Sequence, residues 1–331
     1  MTPPSVCPAP HMDVPQPHAF DEERFEASGL GSPETGGGTG PASVLHVLTI
    51  DLEDWFHVSN FEHYIRRDQW PSCPTRLQET VPRLLDLLAR HQARATFFAL
   101  GWVARRFPEM IRRISEAGHE LATHGDEHRL ITNQSPEEFR AQLEQSRDVI
   151  EQATGRRVCG HRAPTYSLRK RTDWAIQIML EAGFQFDSSV FPFGPRQDPA
   201  LCDSRVPCLL YDHGAGALVE YPLSTFRFAG LNIPIAGGGY FRLLPYPFLR
   251  WTMRQLAAHG HRLMTYFHPW ELDPDQPRVS QASWLAKFRH YHQVDHAEAK
   301  LTRLLSDFRF GSIRDVFWSP ETYRYELTPN P

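Results

Sequence analysis

Four short segments of this 331-residue chain bring together acids, imidazoles and a guanidinium at spacings that suit metal-assisted hydrolysis. In D-L-E-D, residues 51–54, three carboxylates crowd one strand end. Like charges this close raise one another's pKa unless a cation lies among them, so Asp51, Glu53 and Asp54 ask for a metal or an arginine. A solvated turn with its acids pointing apart is the plain alternative. In T-H-G-D-E-H, His124 and His128 stand four apart. Two imidazoles at that interval reach one ion if the segment is helical or turns just after a strand, as two nitrogen ligands of a catalytic zinc do; a surface pair is the alternative. Arg162, in H-R-A-P-T-Y-S, ends a strand that Pro164 cannot continue, and an arginine held there can pair bidentately with a carboxylate and keep it ionised. His268, in Y-F-H-P-W-E, closes an apolar strand beside Trp270 and suits a general acid, or else a satisfied core histidine.

A competing reading uses the same residues. His124, Glu127 and His128 also spell H-x-x-E-H, the inverted zinc-protease motif. That chemistry needs the motif inside a helix with Glu127 as base, and both Gly125 and the strand pattern before it argue against a continuous helix.

The elements that must position these groups follow from hydrophobic period. V-L-H-V-L-T-I-D from Val44 reads as a buried strand ending on acids. Leu77, Val81, Leu84, Leu85 and Leu88 recur at helical spacing after Thr75, with Pro82 in an early turn or at a kink. A strand (94–100), a helix (102–117, capped by Gly118), a strand (119–124), a helix (135–153, closed by Gly155) and a strand (157–162) come next. A helix over 171–182 and a strand over 184–189 follow. This β-α rhythm implies a mostly parallel sheet or barrel with reactive groups at the C-terminal strand ends. Residues 190–245 break the rhythm as a long excursion; their Gly-Gly-Gly lacks the following Gly-Lys-Ser/Thr of a phosphate loop. A helix over 246–259, a strand over 262–268 and a helix over 283–310 complete the pattern. The run H-Y-H-Q-V-D-H within the last helix reads as packing plus surface.

Composition narrows the function classes. A hydrophobic content of 41% supports a core, and a net charge of −4 offers no basic excess for nucleic acid. No apolar run approaches the ~18 residues of a membrane span, no leader of secretory type is visible, and five cysteines without close C-x-x-C pairs suggest no disulfide framework. A cytoplasmic protein with an uncharged or polar substrate is expected. Eight Pro and six Gly make residues 1–43 a disordered leader.

The ordered set T-I-D-L-E-D, T-H-G-D-E-H, H-R-A-P-T-Y-S, F-D-S-S-V-F-P and F-H-P-W-E resembles the polysaccharide deacetylases of carbohydrate esterase family 4, the NodB homology domain. D-L-E-D-W-F-H-V, G-G-G-Y-F-R-L-L-P-Y and the tail F-R-H-Y-H with K-L-T-R-L-L-S-D-F-R-F are similar, more narrowly, to the subfamily of exosortase-associated exopolysaccharide loci. The resemblance implies an α/β fold, a distorted, incomplete, seven-stranded (β/α) barrel over residues 44–315. A C-terminal helical extension would take up about 283–315, and a tail 316–331. It also implies a hydrolase that removes N-acetyl groups from a polysaccharide with a divalent metal, most simply zinc. A non-sugar amidohydrolase of the same fold, or an inactive glycan-binding scaffold, are the other outcomes.

Carried over by motif, the base falls on Asp51, the metal histidines on His124 and His128, the arginine that steadies the base on Arg162 and the acid on His268. The family pattern has two adjacent Asp, base then ligand, whereas here Leu52 intervenes. Residues two apart in a strand share a face, which favours Glu53 as the third ligand, with Asp54 as alternative. Backbone N–H groups would help hold the oxyanion. Asp187 would hold substrate or tune a neighbouring histidine, and Tyr166 and Trp270 would wall the acetyl pocket or else simply be packed.

Overall fold

The computed structural model describes residues 44–193, 205–212 and 216–318; the leader 1–43 and residues from 319 onward lie outside it. β1 (Leu45–Leu52) is buried from His46 onward, as a Val/Leu/Ile run covered on both faces must be. α1 (Leu77–Arg90) buries Leu77, Val81, Leu84 and Leu88 and keeps Pro82 in its second turn. β2 (Thr96–Ala99) leads to α2 (Gly101–Arg106) and α3 (Pro108–Glu116). The single helix expected over 102–117 is broken here because Pro108 has no N–H to continue it and pulls Phe107 out of helical geometry.

β3 (Glu120–Thr123), α4 (Pro136–Thr154), β4 (Gly160–His161), α5 (Trp174–Glu181) and β5 (Phe186–Asp187) then follow the expected rhythm. Ser135 and Glu138 form a reciprocal cap on α4, and Gly155 ends it in the left-handed region.

The excursion is more ordered than its Pro and Gly content implied. It contains β6 (Cys208–Asp212), β7 (Gly216–Glu220), β8 (Thr225–Phe228), β9 (Leu231–Pro234) and α6 (Gly238–Leu243). After α7 (Tyr246–Ala258) and β10 (Met264–Phe267), the expected 283–310 helix divides into α8 (Trp284–Tyr291) and α9 (Val294–Asp307), with Gln293 left-handed between them. β11 (Arg309–Gly311) and α10 (Ile313–Phe317) carry the fold past the expected end at 315, burying Val316 and Phe317. Cys208 is disulfide-bonded, which the spacing of the cysteines did not suggest.

The main sheet runs β10-β1-β2-β3-β4-β5-β7-β6, parallel except for the β6–β7 hairpin, with β11 beside the start of β1. Among the described residues the ladder does not close. Instead Ser224 donates to the Met264 carbonyl and Tyr266 to that of Ala236, which leads the excursion along the outer edge of β10. Gly237 and Gly238 permit that approach: a Cβ on the first would strike the Tyr266 carbonyl oxygen, and the second has a φ of 56°. The parallel register sets Leu52, Ala99, Thr123, His161 and Asp187 in one row across five strands, and Ile50 opposite Phe267. Asp51, His124, Arg162 and His268 therefore emerge at the same sheet edge. No helix among the described residues is long and apolar enough to cross a membrane.

Candidate active site

That row of strand ends floors a cleft of about 430 Å³, reached by Asp51, Glu53, His124, His128, His268 and Trp270. Glu53, His124 and His128 are buried and can offer ligand atoms all within 4.8 Å of one another. Their orientation is fixed from behind. The His124 Nδ1 lies 2.8 Å from the Arg162 carbonyl oxygen, to which it donates, leaving Nε2 for the cleft. Burial lowers the His124 pKa to about 4, so the ring is neutral and its lone pair available. Glu53 Oε2 is 3.0 Å from His128 Nε2, yet as a buried carboxylate oxygen it accepts no hydrogen bond. Burial opposes ionisation of Glu53, but the His128, His268 and His124 imidazoles outweigh it and hold the carboxyl well below the usual range. One carboxylate and two imidazoles with an unsatisfied buried oxygen fit a divalent cation.

A tight turn, in which Glu53 N donates to Asp51 O at 3.0 Å, sets Glu53 rather than Asp54 beside the two histidines. Asp54 is thereby turned away. It accepts from Thr75 Oγ1 at 2.7 Å and from the Arg76 amide at 2.9 Å, serving the start of α1 rather than the cleft. The segment 124–130 is irregular, with Gly125 and His128 both at positive φ, so the helix that H-x-x-E-H chemistry requires is absent and Glu127 lies outside the ligand cluster.

Arg162 is fully buried over the Phe98 ring, 4.1 Å from its centroid. It does not pair bidentately with Asp51: Nη1 donates to Asp51 Oδ1 and Thr49 Oγ1, both at 2.8 Å, Nη2 to Ser188 Oγ and Nε to the Ser188 carbonyl. Dividing one guanidinium between β1 and the residue after β5 fixes Asp51 Oδ1 and leaves Oδ2 toward His268 Nε2, 3.8 Å away.

His268 is the one partly open member, with 15% of its side chain exposed. Its Nδ1 lies 2.7 Å from Glu271 Oε1. Glu271 Oε2 in turn accepts from Arg242 Nε at 2.7 Å, and the rest of that buried guanidinium donates to the carbonyls of Arg289, His290 and His292. Burial alone would lower the His268 pKa, but the Glu271 hydrogen bond and the Glu53, Glu271 and Asp51 charges raise it to about 9. Trp270 is sandwiched between the rings of His268, at 4.9 Å, and His290, at 4.1 Å.

Tyr166 and Trp270 both line the cleft while packed on neighbours, Tyr166 against Phe191 and Tyr266. The Tyr166 amide donates to the Ala163 carbonyl and is not free to hold an oxyanion. Of the two expected places for Asp187, the structure shows the one beside a histidine: it is fully buried behind the floor, 2.7 Å from His161 Nδ1, and accepts from Ser189 Oγ. Spacing and residue type gave no role to Glu271, although it stands three residues past His268 in the same motif. Arg242 stands in the G-G-G-Y-F-R-L-L-P-Y run but drew no role from it, and His290 reads as packing in its local run; it is 0% exposed, and its Nε2 hydrogen-bonds with Gln276 Oε1 at 2.6 Å.

Comparison with known proteins matches this arrangement in two stretches. Residues 66–186 match the polysaccharide deacetylase family, and residues 188–318 match a domain of unknown function, DUF3473. A peptidoglycan deacetylase of Helicobacter pylori is 30% identical over 110 residues, 33% of this chain and 36% of that protein. A peptidoglycan-N-acetylglucosamine deacetylase of Bacillus cereus is 32% identical over 77 residues, 23% of this chain and 28% of the other. The chain thus spans roughly a third of the length of these curated relatives. A crystal structure from Mycobacterium smegmatis, described as a polysaccharide deacetylase, shares the fold with a TM-score of 0.52 at 19% identity, over 88% of this chain and 96% of that one.

Proposed function

With residues 66–186 matching the polysaccharide deacetylase family, we propose that the protein hydrolyses N-acetyl groups from a polysaccharide, of the exopolysaccharide class, releasing acetate and leaving a free amino sugar within the glycan. The observation that carries this reading is the cleft in which a buried Glu53–His124–His128 trio is flanked by Asp51 and by His268. Glu53, His124 and His128 would hold a divalent cation, zinc by their nitrogen-and-carboxylate donors, which would supply Lewis-acid chemistry at this site. Asp51 accepts the water proton at Oδ2, because Oδ1 is held by Arg162. The resulting hydroxyl adds to the acyl carbon and the C–N bond breaks. His268 gives its Nε2 proton to the departing nitrogen, with Nδ1 anchored on Glu271. Tyr166 and Trp270 border the space for the acetyl methyl and the sugar ring.

The base, the three ligand positions and the acid all carry competent side chains, so an inactive scaffold is not favoured, and no observation points to a non-sugar amide. The test is acetate release from N-acetylated oligosaccharides. Chelation is expected to abolish it, zinc to restore it, and His124→Ala to remove it permanently. Activity indifferent to chelation, or surviving in His124→Ala, would sink the reading.

A further inference from the structure

The cleft continues beyond His268. Its outer rim is built by α8, through Leu285, Phe288 and Arg289, and by His292 just past it. A second hollow of about 470 Å³ lies against the same helix, lined by Arg278, Lys287 and Tyr291 and again by Phe288 and His292. The Phe288 and His292 rings, 4.6 Å apart, form the ridge the two hollows share. A polymer leaving the cleft over this ridge enters the second hollow.

Two features of this path are unusual for a chain with more acids than bases. Arg278, Lys287 and Arg289 form no ion pair among the described residues, and apart from Asp51 and Glu53 on the floor no carboxylate lines either hollow. The cations are held in place without being neutralised: the Arg278 guanidinium sits 4.3 Å from the Tyr291 ring centroid, and Lys287 Nζ donates to the Ser280 carbonyl. The second feature is apolar. Trp284 is 77% and Phe288 44% exposed, four residues apart and so on one helix face. Flat aromatic surface beside unpaired cations, continuous with a catalytic cleft, suits alternating sugar faces and carboxylates.

Resting on the deacetylase reading, we propose that α8 and the hollow behind it bind the flanking sugars of an acidic N-acetylated glycan, its carboxylates against Arg278, Lys287 and Arg289 and a ring on Phe288. The substrate class is then a uronate-bearing or otherwise carboxylated polymer rather than the uncharged one that the overall charge suggested.

The probes are hexasaccharides of alternating N-acetylglucosamine and glucuronate, and hexasaccharides of N-acetylglucosamine alone. Binding is read by calorimetry in Asp51→Asn protein, which leaves the probes intact, so the result stands whether or not the wild type releases acetate. The acidic probe is expected to bind about tenfold more tightly at low salt, three charge contacts at the surface each contributing a little. The preference should fade toward physiological salt and vanish in Arg278→Gln/Lys287→Gln/Arg289→Gln, whose affinity for the neutral probe stays unchanged. Phe288→Ala should weaken both probes alike. Equal affinity of the parent for the two probes, or a preference untouched by the triple substitution, would overturn the proposal.

Discussion

The two sides of the cleft are built on different principles. On the base side, Asp51, His124 and Arg162 leave the C-terminal ends of three strands of one parallel sheet, and their partners are the Arg162 carbonyl, Thr49 Oγ1 and Ser188. Parallel register sets these groups at one sheet edge, and the Arg162 side chain ties them together. On the acid side, His268 is oriented through Glu271 and Arg242 to three carbonyls at 289–292, so three separate segments must converge on one imidazole. The matched stretches divide at nearly the same place. His124, His128 and Arg162 lie in the deacetylase stretch, while His268, Glu271, Arg242 and His290 lie in the stretch of unknown function, and β5–β7 pairing joins the two in one sheet. A ladder enforces one side; long side chains crossing loops enforce the other.

The sharpest way to separate the two sides is a substrate whose leaving group needs no proton. Asp51→Asn should lower kcat by about 10²–10⁴ on both an N-acetylated oligosaccharide and an aryl acetate, whereas His268→Ala should do so on the amide alone. Equal losses on the aryl acetate would break the assignment of base and acid to opposite sides. Next in size is stability. Arg242→Met strands the buried Glu271 carboxylate and should cost about 3–5 kcal/mol in denaturant unfolding. Adding Glu271→Gln removes the stranded charge and should recover much of that loss; no recovery would mean that the pair is not the linchpin of the acid side. The smallest effect is a shift in pH dependence. An acid must be protonated to act, so kcat falls as pH rises through the His268 pKa, set at about 9 by Glu271 and its neighbours. Glu271→Gln weakens the protonated form and should move that limb to lower pH by about one unit or more, with the opposite limb in place.

The base side is largely legible in the sequence. Apolar runs ending on Asp51, His124 and Arg162, alternating with helical periods, imply a parallel sheet with those groups at one edge. Legibility fails where direction changes within a residue or two. The rule that strand residues two apart share a face favours Glu53, but the strand ends at Leu52, and what brings the carboxylate round is the turn closed from Glu53 N to Asp51 O. Asp187 closes a strand just as His124 follows one, yet it points behind the sheet to His161, and nothing in the local pattern distinguishes the two. His290 sits in a run that reads as packing and surface, because helical period says which face is buried and not that it will stack on Trp270 across the cleft.

The sequence by itself determined the residue types, the β-α order and the strand ends, since hydrophobic period and chain-breaking residues are local properties. Only the tertiary structure decided that Glu53 rather than Asp54 faces the histidines, that Arg162 divides its donors between β1 and the residue after β5, and that Arg242 reaches Glu271 from 29 residues away in the chain. Those outcomes depend on side-chain direction and on burial that makes an unpaired charge costly, and both are fixed only when distant segments pack together.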